Sequence, residues 1–144
     1  MKLRTVPLAA ASRGPLVFVL AQDGAVPDAG PALRAAVAAA KATGDLATGA
    51  RKVSVFHQAP KSACKRLGFV GLGPRTGVST EGLRRAAAVA QAAAEKAAVA
   101  DFTLLVPAAS LGDVDAGAAG AAIAEGLVLG AYVYTPPQRQ KQAK

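Results

Sequence analysis

The sequence is poor in the residues that carry chemistry. Its 144 residues include one histidine, one cysteine and no tryptophan, and aromatic side chains make up 4% of it. A single cysteine, Cys64, excludes an internal disulfide framework and fits a reducing compartment. The nine carboxylates, Asp23, Asp28, Asp45, Glu81, Glu95, Asp101, Asp113, Asp115 and Glu125, are scattered. With His57 they offer no spacing at which three or four ligands converge on zinc. Asp113 and Asp115 are close in sequence, but they precede a helix, and Asp115 reads as its N-cap. A Cys64–His57 nucleophilic pair needs a third, orienting group. His57 reads instead as the end of a strand and Cys64 as a loop or core thiol. GxSxG, HExxH and Walker patterns are all missing. No apolar run is long enough to span a bilayer, and the best candidate, AAIAEGLVLGAYVY (121–134), is short and carries Glu125. The N-terminal stretch superficially suggests a signal peptide, but Arg13, Gly14 and Pro15 interrupt its apolar part. The expectation is a soluble, cytoplasmic chain with no membrane partner.

What is present is small and apolar. Hydrophobic residues make up 52% and charged residues only 18%, which argues against disorder. Alanine supplies about half of the apolar share, so helices are expected to pack closely. The length suits one domain with a real core. Net charge is +8. Part of it comes from Arg139, Lys141 and Lys144 in the polar tail, and the rest is spread along the chain. Such a balance favours contact with polyanions, although a solvated surface is the simpler account of it.

Periodicity gives an order of elements. PLVFVLA (15–21) is a continuous apolar run, the pattern of a strand covered on both faces. Turn residues follow. Pro31 then stands where a first helical turn tolerates it, before ALRAAVAAAKA (32–42), with Gly44 as C-terminal cap. RKVSVFH (51–57) alternates, Val53 and Val55 on one side and Lys52 and Ser54 on the other, as in a half-exposed strand. RLGFVGLG (66–73) reads as a second buried strand. Ser79 or Thr80 caps a helix running to about Val99, with Leu83, Ala87, Ala90, Ala94 and Ala97 on one face. DFTLLVP (101–107) is a fourth strand. A last helix spans about Ala116 to Gly130, where Gly126 and Gly130 allow close approach to a sheet. The alternation predicts an α/β three-layer sandwich, a mixed but mostly parallel sheet flanked by helices, over residues 1–135. Residues 136–144 read as a basic tail or the start of a linker.

The segment Gly71-Leu72-Gly73-Pro74-Arg75-Thr76-Gly77 follows a strand and precedes a helix, as a phosphate-binding loop would. The third glycine arrives one position late for GxGxxG, and Pro74 removes a backbone donor. Spacing therefore favours a structural turn. If the loop does hold a phosphate-bearing ligand, Gly71, Gly73, Arg75 and Gly77 are its candidates.

Two stretches together resemble a known family. Val70-Gly71-Leu72-Gly73, then Ser79-Thr80-Glu81-Gly82-Leu83-Arg84-Arg85-Ala86, is similar to the strand and helix start of the N-terminal domain of the leucine, or cytosol, aminopeptidases (peptidase family M17). Near the end, Glu125, Gly126, Leu129, Gly130 and Tyr132 hold the places of that family's E-G-x-L-L-G-x-Y-x-F helix, with Tyr134 replacing the phenylalanine. The likeness covers roughly residues 15–135. It implies a macro-domain-like fold. In full-length members this domain precedes a catalytic domain that holds two divalent metals, zinc or manganese, and those members assemble as hexamers. The N-T-D-A-E-G-R catalytic motif does not occur here. The resemblance therefore assigns this chain no catalytic residue, no metal ligand and no cofactor. It implies as partners a C-terminal catalytic domain and further copies in a homo-oligomer. Nucleic acid is an alternative partner, since some bacterial members of the family also bind DNA. Arg75, Arg84, Arg85, Arg139 and Lys141 are then the candidate contacts, acting through phosphates in a salt-dependent way. A stand-alone macro-like module that binds nucleic acid or a phosphate-bearing ligand is the competing reading.

Overall fold

The computed structural model describes residues 1–132. A short helix α1 (Leu8–Ala11) leads into β1 (Gly14–Gln22), followed by α2 (Arg34–Thr43), β2 (Val53–His57), β3 (Cys64–Gly73), α3 (Thr80–Lys96), β4 (Thr103–Leu105), a 3-10 turn (Ala108–Leu111) and α4 (Ala116–Gly130). The four strands form one sheet in the order β2-β3-β1-β4. β1 runs parallel to both β3 and β4, and β2 is antiparallel to β3. The sheet is thus mixed, and among the described residues β2 and β4 are its edges.

β1 lies between two strands and two layers, which explains its unbroken apolar sequence. Leu16, Phe18 and Leu20 face α3 and α4 together with Val70, Leu83, Ala86, Ala90 and Ala94. Val17 and Val19 face α2 with Leu33, Val37, Leu67 and Phe69. All five of these β1 side chains are fully buried. The result is the expected three-layer α/β sandwich, with α2 on one face and α3 and α4 on the other.

Local chemistry sets three of the helix ends. Ser79 is the N-cap of α3, its hydroxyl accepting the Gly82 N–H at 3.0 Å. Asp115 caps α4 in the same way, accepting from Ala118 N at 3.1 Å. Gly44 ends α2 in the left-handed region at φ 77°, where a side chain would be strained. Ser79→Ala removes one side-chain acceptor from the N-terminus of the longest helix. It is expected to cost about 1 kcal/mol, read as a melting temperature lower by roughly 4 °C with helical signal retained below the transition.

Several boundaries differ from the sequence reading, each for a physical reason. α2 begins at Arg34, and Pro31 sits in the preceding turn. α3 stops at Lys96 because Ala98 takes φ 55°, with Ala98 N–H bonding back to Glu95 O and Val99 N–H to Ala94 O. That closure leaves Ala97 half-buried. β4 keeps only three residues, since the chain leaves the sheet for the 3-10 turn after Pro107. Gln22, buried at the end of β1, donates through Nε2 to Ser110 O at 3.4 Å and ties β1 to that turn. In β2 the valines are the exposed side. Val53 and Val55 face outward, while Phe56 packs on the α2-side core and Ser54 Oγ donates to Asp45 O. The close approach of Gly126 and Gly130 is to α3 and not to the sheet. A Cβ at Gly126 would lie 2.1 Å from Arg84 O, and one at Gly130 would lie 2.6 Å from Ala88 O.

Candidate functional site

The loop after β3 is built by backbone pairing. Gly71 N–H donates to Lys52 O, Gly73 N–H to Thr48 O, and Arg51 N–H to Gly71 O, while Gly73 O accepts from Asp23 N. The segment before β2 therefore continues the sheet alongside the glycines. It also explains why residue 71 is glycine, because a Cβ there would stand 1.9 Å from Gly49 O. The N–H groups of Gly71 and Gly73 are thus engaged within the fold. Arg75 and Gly77 lie farther out and are exposed. Two shallow clefts lie elsewhere. One of about 250 Å³ is lined by Gly24, Lys41, Gly44 and Thr48 among others. The other, of about 380 Å³, lies between residues 26–30 and Arg34 and Val37. Neither includes the Gly71–Gly77 loop.

The two stretches that carry the family likeness meet at the α3–α4 contact. Arg84 Nε on α3 donates to Glu125 Oε2 on α4 at 2.8 Å. Arg84 also pairs with Glu81, and Arg85 Nε reaches Glu81 Oε1 at 2.8 Å. Immediately beside this network, Gly126 lets the α4 backbone approach the Arg84 carbonyl. Arg84 and Arg85 are therefore charge-paired, while Arg75 has no ion pair among the described residues. Arg139, Lys141, Tyr134 and the tail 136–144 lie outside the described residues.

Hydrogen bonds from Arg84, and then from Arg85, hold the Glu81 carboxyl below its ordinary pKa. The sign follows directly. A depressed folded-state pKa gives stabilisation that is present above the unfolded pKa of about 4.3. It is lost as pH falls through the folded value. Because the network is exposed and screened, the effect is modest. Glu81→Gln is expected to flatten the acid limb of the stability curve below the unfolded pKa, read as urea midpoints measured across acid pH.

Cys64 and His57 do not form a pair. Cys64 is buried in the α2-side core, where desolvation pushes its thiol pKa up. His57 is exposed and shares the outer side of β2 with Val53 and Val55. Asp115 caps α4 while Asp113 is exposed. Among the described residues no three His, Cys, Asp or Glu side chains gather where a metal ion could sit. Nor is any described helix long and apolar enough to cross a membrane.

Motif reading missed one feature of charge. No Asp or Glu occurs between Asp45 and Glu81, while Arg51, Lys52, Lys61, Lys65, Arg66 and Arg75 all fall in that interval. The interval holds the β2–β3 hairpin. A scan for acid-free windows would have found it.

Residues 16–141 match the family model of the N-terminal domain of the cytosol aminopeptidase family. No curated protein matches the chain. The match spans the sheet, both helical layers and the two stretches that interlock at Arg84 and Glu125. The chain belongs to the cytosol aminopeptidase family, as its N-terminal domain.

Proposed function

We propose that this domain is the non-catalytic part of a two-metal leucyl aminopeptidase, and that it contributes to assembly, regulation or substrate access. Peptide hydrolysis then belongs to a C-terminal catalytic domain that binds the two zinc or manganese ions, and the whole works as a homo-oligomer in the cytoplasm. The observation that carries this reading is the use to which the family's residues are put. Arg84 pairs with both Glu81 and Glu125, and Gly126 packs against a backbone carbonyl. These residues hold two helices together and line neither of the two clefts described above. Such a motif serves a scaffold whose contribution is its shape.

The test is enzymatic. The purified chain, supplied with zinc or manganese, is expected to release no leucine from a leucyl anilide. Release by a preparation free of host aminopeptidase would overturn the proposal. An immunoblot of the native gene product is expected to show a band several times heavier than 14.3 kDa. A native band at 14.3 kDa would count against the two-domain reading.

A further inference from the structure

We propose that the outer edge of β2 is a docking strand for an acidic, extended peptide segment of another protein. The first support is the backbone. Gln58 N–H bonds to Lys65 O at one end of the hairpin, and Lys52 O accepts from Gly71 N–H at the other. In an antiparallel ladder the residues facing the partner strand alternate with residues facing away. Gln58, Phe56, Ser54 and Lys52 thus face β3, and the N–H and C=O groups of Val53, Val55 and His57 point outward. Among the described residues no backbone hydrogen bond reaches them from that side. An open edge of this kind is a template for strand addition.

The second support is charge. Arg51 and Lys52 stand at one end of the edge, and Lys61 and Lys65 at the other. All four are exposed, and none takes an ion pair among the described residues. No acid interrupts the interval. Five residues of strand span about 17 Å, so a segment of five to seven residues would fill the edge, with carboxylates meeting the cations at both ends. The exposed Val53 and Val55, 40% and 37% accessible, would receive apolar side chains at alternate positions. A second copy of the edge is disfavoured because it brings two cationic ends together without an anion. A nucleic acid would use the cations but leave the row of amides unpaired, and Phe56, the aromatic of this strand, is turned towards the core.

The experiment uses the full chain and a fluorescein-labelled heptapeptide of alternating Glu and Val, followed by anisotropy at low salt. Saturable binding is expected, weakening as salt screens the ends. Reversing two cations in Lys52→Glu/Lys61→Glu should weaken it at least about tenfold, since charge-assisted contacts are lost. A peptide N-methylated at alternate residues keeps its charge but loses its donors, and should bind about tenfold more weakly or worse. Val55→Pro removes an outward N–H without touching the β3 ladder and should weaken binding similarly. In labelled protein, the amide signals of Val53, Val55 and His57 should move on titration. No saturable binding of the acidic peptide overturns the proposal. Equal binding of the N-methylated peptide, or equal affinity for an oligothymidylate, also overturns it by indicating a general polyanion surface. So does a stable dimer that Val55→Pro disperses. The peptide comparison stands even if a variant fails to fold.

Discussion

Gly126→Ala is expected to destabilise the domain by about 3 kcal/mol or more, whereas Gly120→Ala in the same helix is expected to stabilise it by about 0.5–1 kcal/mol. The chemical change is identical, and only the neighbourhood differs. At Gly126 the new methyl would lie 2.1 Å from Arg84 O and 2.9 Å from Ala87 Cβ. A backbone carbonyl inside a helix cannot turn aside, so α3 and α4 must separate. That separation would also loosen the Arg84–Glu125 pair and the contacts of Ala119 and Ala122 with the core. At Gly120 no atom outside the adjoining helix backbone and the two flanking residues lies within 4 Å of the added methyl, and the residue is exposed. There the substitution acts through helix propensity alone, by reducing the freedom of the unfolded chain. Urea midpoints of the two variants, measured side by side, should move in opposite directions. If both fall by similar amounts, the close packing of α3 and α4 is not what requires glycine at position 126.

Phe18→Ala is the second large effect, with an expected loss of about 3–5 kcal/mol. That is a substantial part of the roughly 5–15 kcal/mol that holds a typical domain folded. Phe18 lies in the central strand, is fully buried, and meets Phe102 edge to face with ring centroids 5.7 Å apart. Its ring occupies the space that a side chain at residue 68 would need. A Cβ at Gly68 would stand 2.5 Å from ring carbons of Phe18. Gly68→Ala alone is therefore also destabilising. In the Phe18→Ala background the ring is gone, and of the three nearest atoms Ser54 O, at 3.0 Å, remains. The double variant should be less destabilised than the sum of the two singles. That coupling is measurable as a double-mutant cycle in urea. Strict additivity would mean that Gly68 and Phe18 do not share this space.

The elements that the sequence made legible are those whose signals are local. The unbroken run at residues 15–21 identifies a strand covered on both sides, and it is β1 at the centre of the sheet. Ser79, Asp115 and Gly44 act where their side chains or their lack of one would place them, at helix ends. The less legible parts depend on distant neighbours. Alternation at residues 53–57 marks a strand but does not say which side is covered, and α2 with its core cluster takes Phe56 and leaves the valines out. The glycines of α4 announce close approach without naming the surface approached. The turn at residues 71–77 resembles a phosphate loop by composition. Its first two glycines, however, hydrogen-bond with residues 48–52, a separate segment upstream that precedes β2.

By itself the sequence determined the α/β class, the order of the main elements, three helix caps and the family, because these follow from spacing, capping chemistry and motif order read along one chain. Tertiary structure alone decided the strand order, the pairing of Arg84 with Glu125, and the outward turn of the β2 amides beside an acid-free run of cations. Those features arise from residues far apart in sequence being brought within hydrogen-bonding distance, and local periodicity carries no record of which distant partner a residue will meet.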